Sequence, residues 1–265
     1  MLELYNYPPS LLGSGGTCPS HNLVCAFEKK DGSANDMQSD TRFENMDPRF
    51  DVTIVRDGSI LGARGAIDIS DPNSQDAIGK VNLRSTVTGY YLRKFLDTNI
   101  NLSAQTITST YHYFPVIRLA DIYLLYAEAM NEAYGPNDAA DLGWTALEAL
   151  NKVRTRAGIT VPYTTTSQTE MTKKIRNERR VELAFEDQRY FDLRRWKDAK
   201  DEESLPMYGC NVFMTKGERD LFYKPVPVSD VLTCFAEKTY FWPIDRSELE
   251  KNVRLTQNPG WQSEK

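Results

Sequence analysis

The sequence predicts a mainly α fold, with tetratricopeptide-like helical hairpins packed with long irregular loops and short β-strands. Three observations carry this. Between residues 113 and 200 apolar side chains recur at three- and four-residue steps, the helical period. Residues 1–112 are rich in Gly, Ser, Asn, Asp and Pro, the composition of turns. Residues 201–265 bring Pro and aromatics together in extended runs, the pattern of a C-terminal wrap rather than a second core.

The loop-rich part holds GSGGTCPS, EKKDGSANDMQSD and DISDPNSQD as loops. DVTIV (51–55) and GYYLRKF (89–95) read as short strands. HNLVCAFEKK reads as a short helix capped by Asn22. Long ordered loops are uncommon unless functional, which makes this part the ligand-facing one. The first long helix starts at Pro115 and ends at Gly135-Pro136. Leu119, Ile122, Tyr123, Tyr126, Met130 and Ala133 form its main stripe, and a second apolar face with Leu124 and Leu125 predicts burial on most sides. A four-residue GPND turn leads to an antiparallel second helix, with Leu142, Ala146, Leu150, Val153 and Ala157 inward and Gly158 closing it. Ser167 and Glu170 offer a capping box for a third helix running to about Phe185, and a fourth spans roughly Arg189 to Ala199. In the tail, YKPVPVSD is extended, Ser247–Lys251 is a brief helix, and Trp242 and Trp261 pin the segment onto the helices.

The 265 residues suffice for a sizeable core, and 40% hydrophobic with 26% charged residues is ordinary globular composition. Mean hydropathy is −0.52, and no apolar run approaches the length of a membrane span. The first residues lack the basic-then-apolar order of a signal peptide. A net charge of −5 with no Lys/Arg run argues against nucleic acid. Cys18, His21 and Cys25 do not have zinc-knuckle spacing, so unpaired thiols or a local disulfide are expected there. The acidic loops lack the six-oxygen pattern of a calcium site and read as solvated turns. No catalytic triad, phosphate loop or CxxC pair is present, and no metal or cofactor is expected.

The sharpest polar cluster contains Glu178, Arg179, Glu182, Glu186, Arg189, Asp192, Arg194 and Arg195. Carboxylates one turn apart could suggest glycoside hydrolysis. The arginines supply as many partners, however, and an Arg-paired carboxylate is a poor proton donor. Arg179, Glu182, Glu186, Arg189, Asp192 and Arg195 therefore read as an ion-pair network locking the third and fourth helices. Asp121 and Glu128, on an apolar helix, require partners, with Arg118 and Arg154 the candidates.

LADIYLLYAEAMNE, ALNKVRTRAG, ERRVELAFEDQRYFDLRRW and FWPIDRSELEKNVRLTQNPGW together resemble the C-terminal half of the SusD/RagB family, and CPSHNLVCAFEKKDG, FENMDPRF and GYYLRKF fit its pre-helical region. These are nutrient-binding lipoproteins of Bacteroidetes outer membranes. The resemblance covers nearly the whole chain, although family members are typically about twice as long; the signal peptide and lipidated cysteine would lie in the other half, and neither Cys18 nor Cys25 sits in a lipobox. It implies a non-catalytic protein that binds oligosaccharide at the cell surface and delivers it to a SusC-like TonB-dependent transporter. Sugars offer C–H faces to aromatic rings and hydroxyls to polar side chains. Tyr5 and Tyr7, with Asn35 and Arg64 as polar partners, are the ligand-binding candidates. Trp144 and Trp196 are expected at helix interfaces. A peptide-binding RagB-like receptor keeps the fold and changes the ligand; a tetratricopeptide-type interaction scaffold and a glycosidase are the further alternatives.

Overall fold

A computed structural model describes residues 2–35, 43–61, 65–79, 82–99, 111, 113–214, 221–229 and 235–262. The chain is helix-rich with few short strands, the mainly α class expected. The loop-rich part carries α1 (Leu2–Asn6), a 3-10 turn (Pro9–Leu11), α2 (His21–Val24), α3 (Pro48–Thr53), β1 (Ile54–Val55) and β2 (Tyr91–Leu92). The helical part holds α4 (Leu119–Tyr134), α5 (Ala146–Ala157), α6 (Gln168–Glu182), α7 (Gln188–Trp196) and α8 (Ala199–Glu202). The tail contributes β3 (Met207–Met214), β4 (Leu221–Ser229), a second 3-10 turn (Glu237–Tyr240) and α9 (Arg246–Lys251).

The helical core is a three-helix layer. Leu124, Ala127 and Met130 of α4 pack with Ala146, Ala149, Leu150 and Val153 of α5 and with Met171 and Ile175 of α6. Thr145 and Glu148 form a reciprocal capping box at α5, and Gly158 closes that helix in the left-handed region. Ser167 caps α6 by accepting from Glu170 N–H, whereas the Glu170 carboxylate accepts from Thr165 instead of returning to the cap. The α4 C-terminus meets the α6 N-terminus: Asn131 Nδ2 donates to Gln168 O at 3.1 Å, and Gln168 Nε2 donates to Asn131 O at 2.6 Å. At the other end Arg179 reaches Asp121, so α6 runs antiparallel to α4.

Several boundaries differ from expectation. Helix α4 begins after Arg118, not at Pro115, and the α4–α5 connection runs to the Thr145 cap rather than four residues. The buried stripe of α4 is Ala120, Asp121, Leu124, Ala127, Met130 and Asn131, while Leu119 and Ile122 are exposed. The stripe follows two buried polar residues that an apolar period cannot include. Leu142 lies exposed in the connection. Helix α6 stops at Glu182 because Phe185 and Asp187 adopt left-handed backbone. Most of DVTIV is helix α3, whose Asp47 cap accepts from Arg49 N–H. Ser20, not Asn22, caps α2. Asn22 instead accepts from Tyr208 N–H and donates to Pro206 O, fastening α2 to β3.

Strands β3 and β4 form an antiparallel hairpin that the sequence analysis read only in part, as the extended YKPVPVSD. Cys210 faces Pro225 in the ladder, and Cys210 N–H points away from β4 to donate to Thr88 O at 2.8 Å. That makes the pair a non-hydrogen-bonded one, where proline's missing donor costs no ladder bond. Gly89 is required at this junction: its φ is +80°, and a Cβ there would stand 2.1 Å from Cys210 O.

Side chains substitute for regular structure in the loops. Thr86 Oγ1 accepts from the N–H groups of Thr88, Gly89 and Tyr90 at 3.0–3.2 Å. Asp57 Oδ1 accepts from Ile69 and Ser70 N–H, and Tyr91 hydroxyl donates to Asp76 O while accepting from Thr86 N–H. Phe27, Phe50, Ile54, Leu61, Tyr90 and Tyr91 form the core below, joined by Val181 of α6 and by Cys210 and Val212 of β3. A smaller cluster of Leu193, Ala199 and Tyr240 seats the tail on α7 and α8.

The charged residues join loops to helices. Arg49, at the start of α3, clasps Asp47 and donates to Glu178 and Glu182 on successive turns of α6 at 2.5 and 2.8 Å. Glu182 also receives Arg118 and Arg156, each at 2.5 Å. Arg154 bridges Glu178 and Glu28, and Lys174 completes that pair. Glu186 takes Arg118 and Lys94, and Lys94 also donates to Glu182 O and Ala184 O. Farther along, Arg179 bridges Asp121 and Asp192, while Arg195 joins Asp192 to Glu128. The expected partners of Asp121 and Glu128 are thus corrected: Arg118 turns to Glu182 and Glu186, Arg154 to Glu28 and Glu178, and α6 and α7 supply Arg179 and Arg195. Arg189 reaches Glu202 of α8.

Glu182→Gln takes from buried Arg49 and half-buried Arg118 the charge they share. The expected loss is roughly 3–5 kcal/mol, seen as a lower urea midpoint with an unchanged m-value. Burial alone would raise the Glu182 carboxyl, but Arg49 and then Arg118 outweigh it and hold it below the usual carboxylate range. At Glu128, likewise, burial is outweighed by hydrogen bonds from Arg195 and Trp196. Both folded carboxyls bind protons less tightly than the unfolded ones. Their stabilisation is therefore complete above the ordinary value of 4.5 and is withdrawn as pH falls through the folded values. Denaturation midpoints followed from pH 7 to pH 3 should be flat at first and then decline below about pH 4.5.

Candidate ligand-binding surface

Tyr5 is 59% exposed on α1. Its position is fixed by the Gly13–Gly16 loop, where Ser14 and Gly16 N–H donate to Tyr5 O at 3.1 and 3.0 Å. A Cβ on Gly16 would fall 1.9 Å from the Tyr5 ring, so only glycine lets the loop lie against that face. The GSGG segment is thus a fitted support for Tyr5 and Tyr7 rather than a free linker.

Tyr7 is 2% exposed, and its hydroxyl donates to Asp97 O at 2.5 Å. A ring enclosed in the core has no face for a ligand, which corrects its assignment as a stacking residue. Asn35 is half-buried, and its Nδ2 has no acceptor among the described residues. It follows the turn in which Asp31 caps Ser33 and which lies against the α5 C-terminus through Thr160 and Lys30. Tyr5 lies elsewhere, beside a loop packed on Tyr91. Among the described residues the two candidates share no contact that would make one site. Arg64 lies outside the described residues.

A cluster of exposed rings that the sequence did not single out sits where the tail crosses α7. Trp242 Nε1 donates to Tyr190 hydroxyl at 2.5 Å, and Tyr190 meets Phe191 edge-to-face at 5.2 Å. Phe191, Phe241 and Trp242 are each about 60% exposed. Arg194 lies 3.5 Å from the Tyr190 ring centre and Lys197 5.1 Å from that of Phe241, so cations brace the aromatics. The signal was available in RYFDLRRW and YFW, but helical spacing marks such rings equally well as core. Trp196 is an interface residue, donating to Glu128 at 2.8 Å, and Trp144 stacks on Tyr123 beside α4.

The carboxylates of α6 are arranged for ion pairing rather than proton transfer. Glu178, Glu182 and Glu186 are buried and enclosed by cations, with no free carboxyl pair to flank a scissile bond. His21 is buried, with Nδ1 3.0 Å from Tyr90 hydroxyl. Cys18, Cys25 and Cys210 are free thiols, so no disulfide joins the first two. Among the described residues no three His, Cys, Asp or Glu side chains gather as metal ligands, and no helix is long and apolar enough to cross a membrane. The acidic loop at 68–76 is mostly side-chain-capped turns, but Asp76 is buried and accepts from Ser10 N–H.

The chain resembles known proteins along its whole length. It is 26% identical to a SusD-like protein from Bacteroides fragilis of known structure, with a TM-score of 0.77, covering 98% of this chain and 50% of that one. A SusD-like carbohydrate-binding protein from the same species is 25% identical, with a TM-score of 0.71, covering 96% and 51%. SusD-like protein P2 from Formosa agariphila is 30% identical over 161 residues, or 58% of this chain and 26% of that protein. The chain thus spans about half the length of the solved relatives and a quarter of the curated one. A family model described as SusD matches residues 3–261, and with the shared helical scaffold it establishes that this chain belongs to the SusD family.

Proposed function

We propose that this chain binds oligosaccharide at the outer-membrane surface without transforming it, as part of a receptor that hands the glycan to a SusC-like TonB-dependent transporter. The observation that carries the reading is the exposed ring cluster that Tyr190 and Phe191 of the ion-paired α7 form with Phe241 and Trp242 of the tail. Sugar C–H faces stack on such rings, while neighbouring arginines and amides take the hydroxyls. A peptide would instead call for an enclosed cavity with backbone donors and acceptors. Membership of the SusD family and likeness to a carbohydrate-binding relative support the same reading. Transporter pairing and surface location rest on family membership. Tyr5, supported on one face by its glycine loop, is a second stacking position, with Asn35 and Arg64 as further polar candidates.

Affinity gel electrophoresis against amylopectin, laminarin and polygalacturonate tests the reading. At least one polysaccharide should retard the chain. Trp242→Ala should weaken that retardation about tenfold, as expected for loss of a stacking platform. Tyr7→Phe should leave it unchanged while lowering stability by about 1 kcal/mol through loss of a buried hydrogen bond. Turnover of any retarding polysaccharide, or retardation insensitive to both Trp242 and Tyr5, would reject it.

A further inference from the structure

Most arginines of the helical part are saturated with carboxylates. Arg180 is different. It lies in the last turn of α6, and its Nη1 stands 3.8 Å from Glu202 Oε2, beyond hydrogen-bond reach. The same oxygen is already taken by Arg189 Nη2 at 2.9 Å. Among the described residues the Arg180 guanidinium makes no hydrogen bond, although its side chain is only 27% exposed.

Nearby acids are bonded to other arginines. Asp192 is shared by Arg179 and Arg195, and Asp198 is held by Arg176. Nor does the α6 terminus supply acceptors, because Lys94 and Arg118 occupy Glu182 O and Lys94 also takes Ala184 O. Two guanidiniums thus share one carboxylate, and the donors of Arg180 are left without a hydrogen-bonded acceptor among the described residues. The titration behaviour agrees. At Arg49, Arg118 and Arg195 the acids overcome burial and raise the affinity for the proton. At Arg180 and Arg189 it is lowered, by burial first and, at Arg180, next by Arg189.

We propose that Arg180 and Arg189, at the junction of α6, α7 and α8, form a binding site for a small oxyanion, the carboxylate of a uronic acid or a sulfate group. A guanidinium presents its donors in a planar fork matched to such groups. Glu202 holds Arg189 and limits the charge, while Arg180 keeps its donors for the ligand. The choice of a sugar acid as one source rests on the glycan reading; the oxyanion chemistry does not.

Titration calorimetry at low ionic strength, with inorganic sulfate, galacturonate and galactose as separate probes, tests the site. Sulfate, galacturonate or both should bind saturably, and galactose should not compete for the site. Arg180→Gln should weaken the anion about tenfold, Arg180→Lys should restore part of the loss, and Glu202→Gln should strengthen binding. Thermal unfolding of each variant establishes that it is folded. Sulfate binding without galacturonate binding supports a site for the free ion; galacturonate binding supports the sugar acid. No saturable anion binding by the parent chain, or binding unchanged in folded Arg180→Gln, overturns the proposal. Loss of all polysaccharide retardation with sulfate binding intact would count against the glycan reading alone.

Discussion

A guanidinium withdrawn from water must be surrounded by acceptors, and in this chain that requirement decides how the parts meet. Arg49 comes from a six-residue helix in the irregular part, too short to be stable alone. Asp47 beside it takes Nε and Nη2, but the acceptors of Nη1 come from α6, so the Arg49 guanidinium is completed only when the two segments meet. Removing one member costs far more than the intact pair contributes, because a charge is then left buried and alone. The network therefore acts less as a source of stability than as a specification of which surfaces dock and in what register. The apolar core supplies the driving force for burial.

Much of this was legible from residue types and spacing. Leu150, Val153 and Gly158 placed α5 and its end, and the mixed charges of α6 and α7 pointed to pairing rather than acid-base chemistry. The pairing partners were not legible. Arg49, Lys94 and Glu28 lie outside the helical block with no pattern that marks a partner there, and their role depends on contacts across 92 to 146 residues. Asp121 and Asn131 interrupted the apolar period of α4 because they are buried through hydrogen bonds, and so the inward stripe was displaced to Leu119 and Ile122. On the ligand side, Tyr5 and Tyr7 look alike in sequence. Only the Gly13–Gly16 loop and the Asp97 carbonyl distinguish a presented ring from a core one.

The same division organises function. Saturated charges and apolar layers fix the backbone, while the rings at α7 and the tail stay exposed, held by the Trp242–Tyr190 hydrogen bond and braced by Arg194 and Lys197. Side chains there can change without disturbing the helices below. On the binding reading proposed above, that separation lets specificity change at positions carrying little folding energy.

Lys94 carries one more implication. Its ammonium finishes the carbonyl end of α6 from 88 residues upstream, together with Arg118. Such a joint cannot form by local search. The intervening chain must close into a large loop before the contact returns any free energy, which slows assembly in proportion to topology rather than to stability. During synthesis Lys94 emerges well before the helix it completes, and until then it has only water to serve it. The segment around Lys94 thus waits, open to proteases and chaperones, for a structure that has yet to be made.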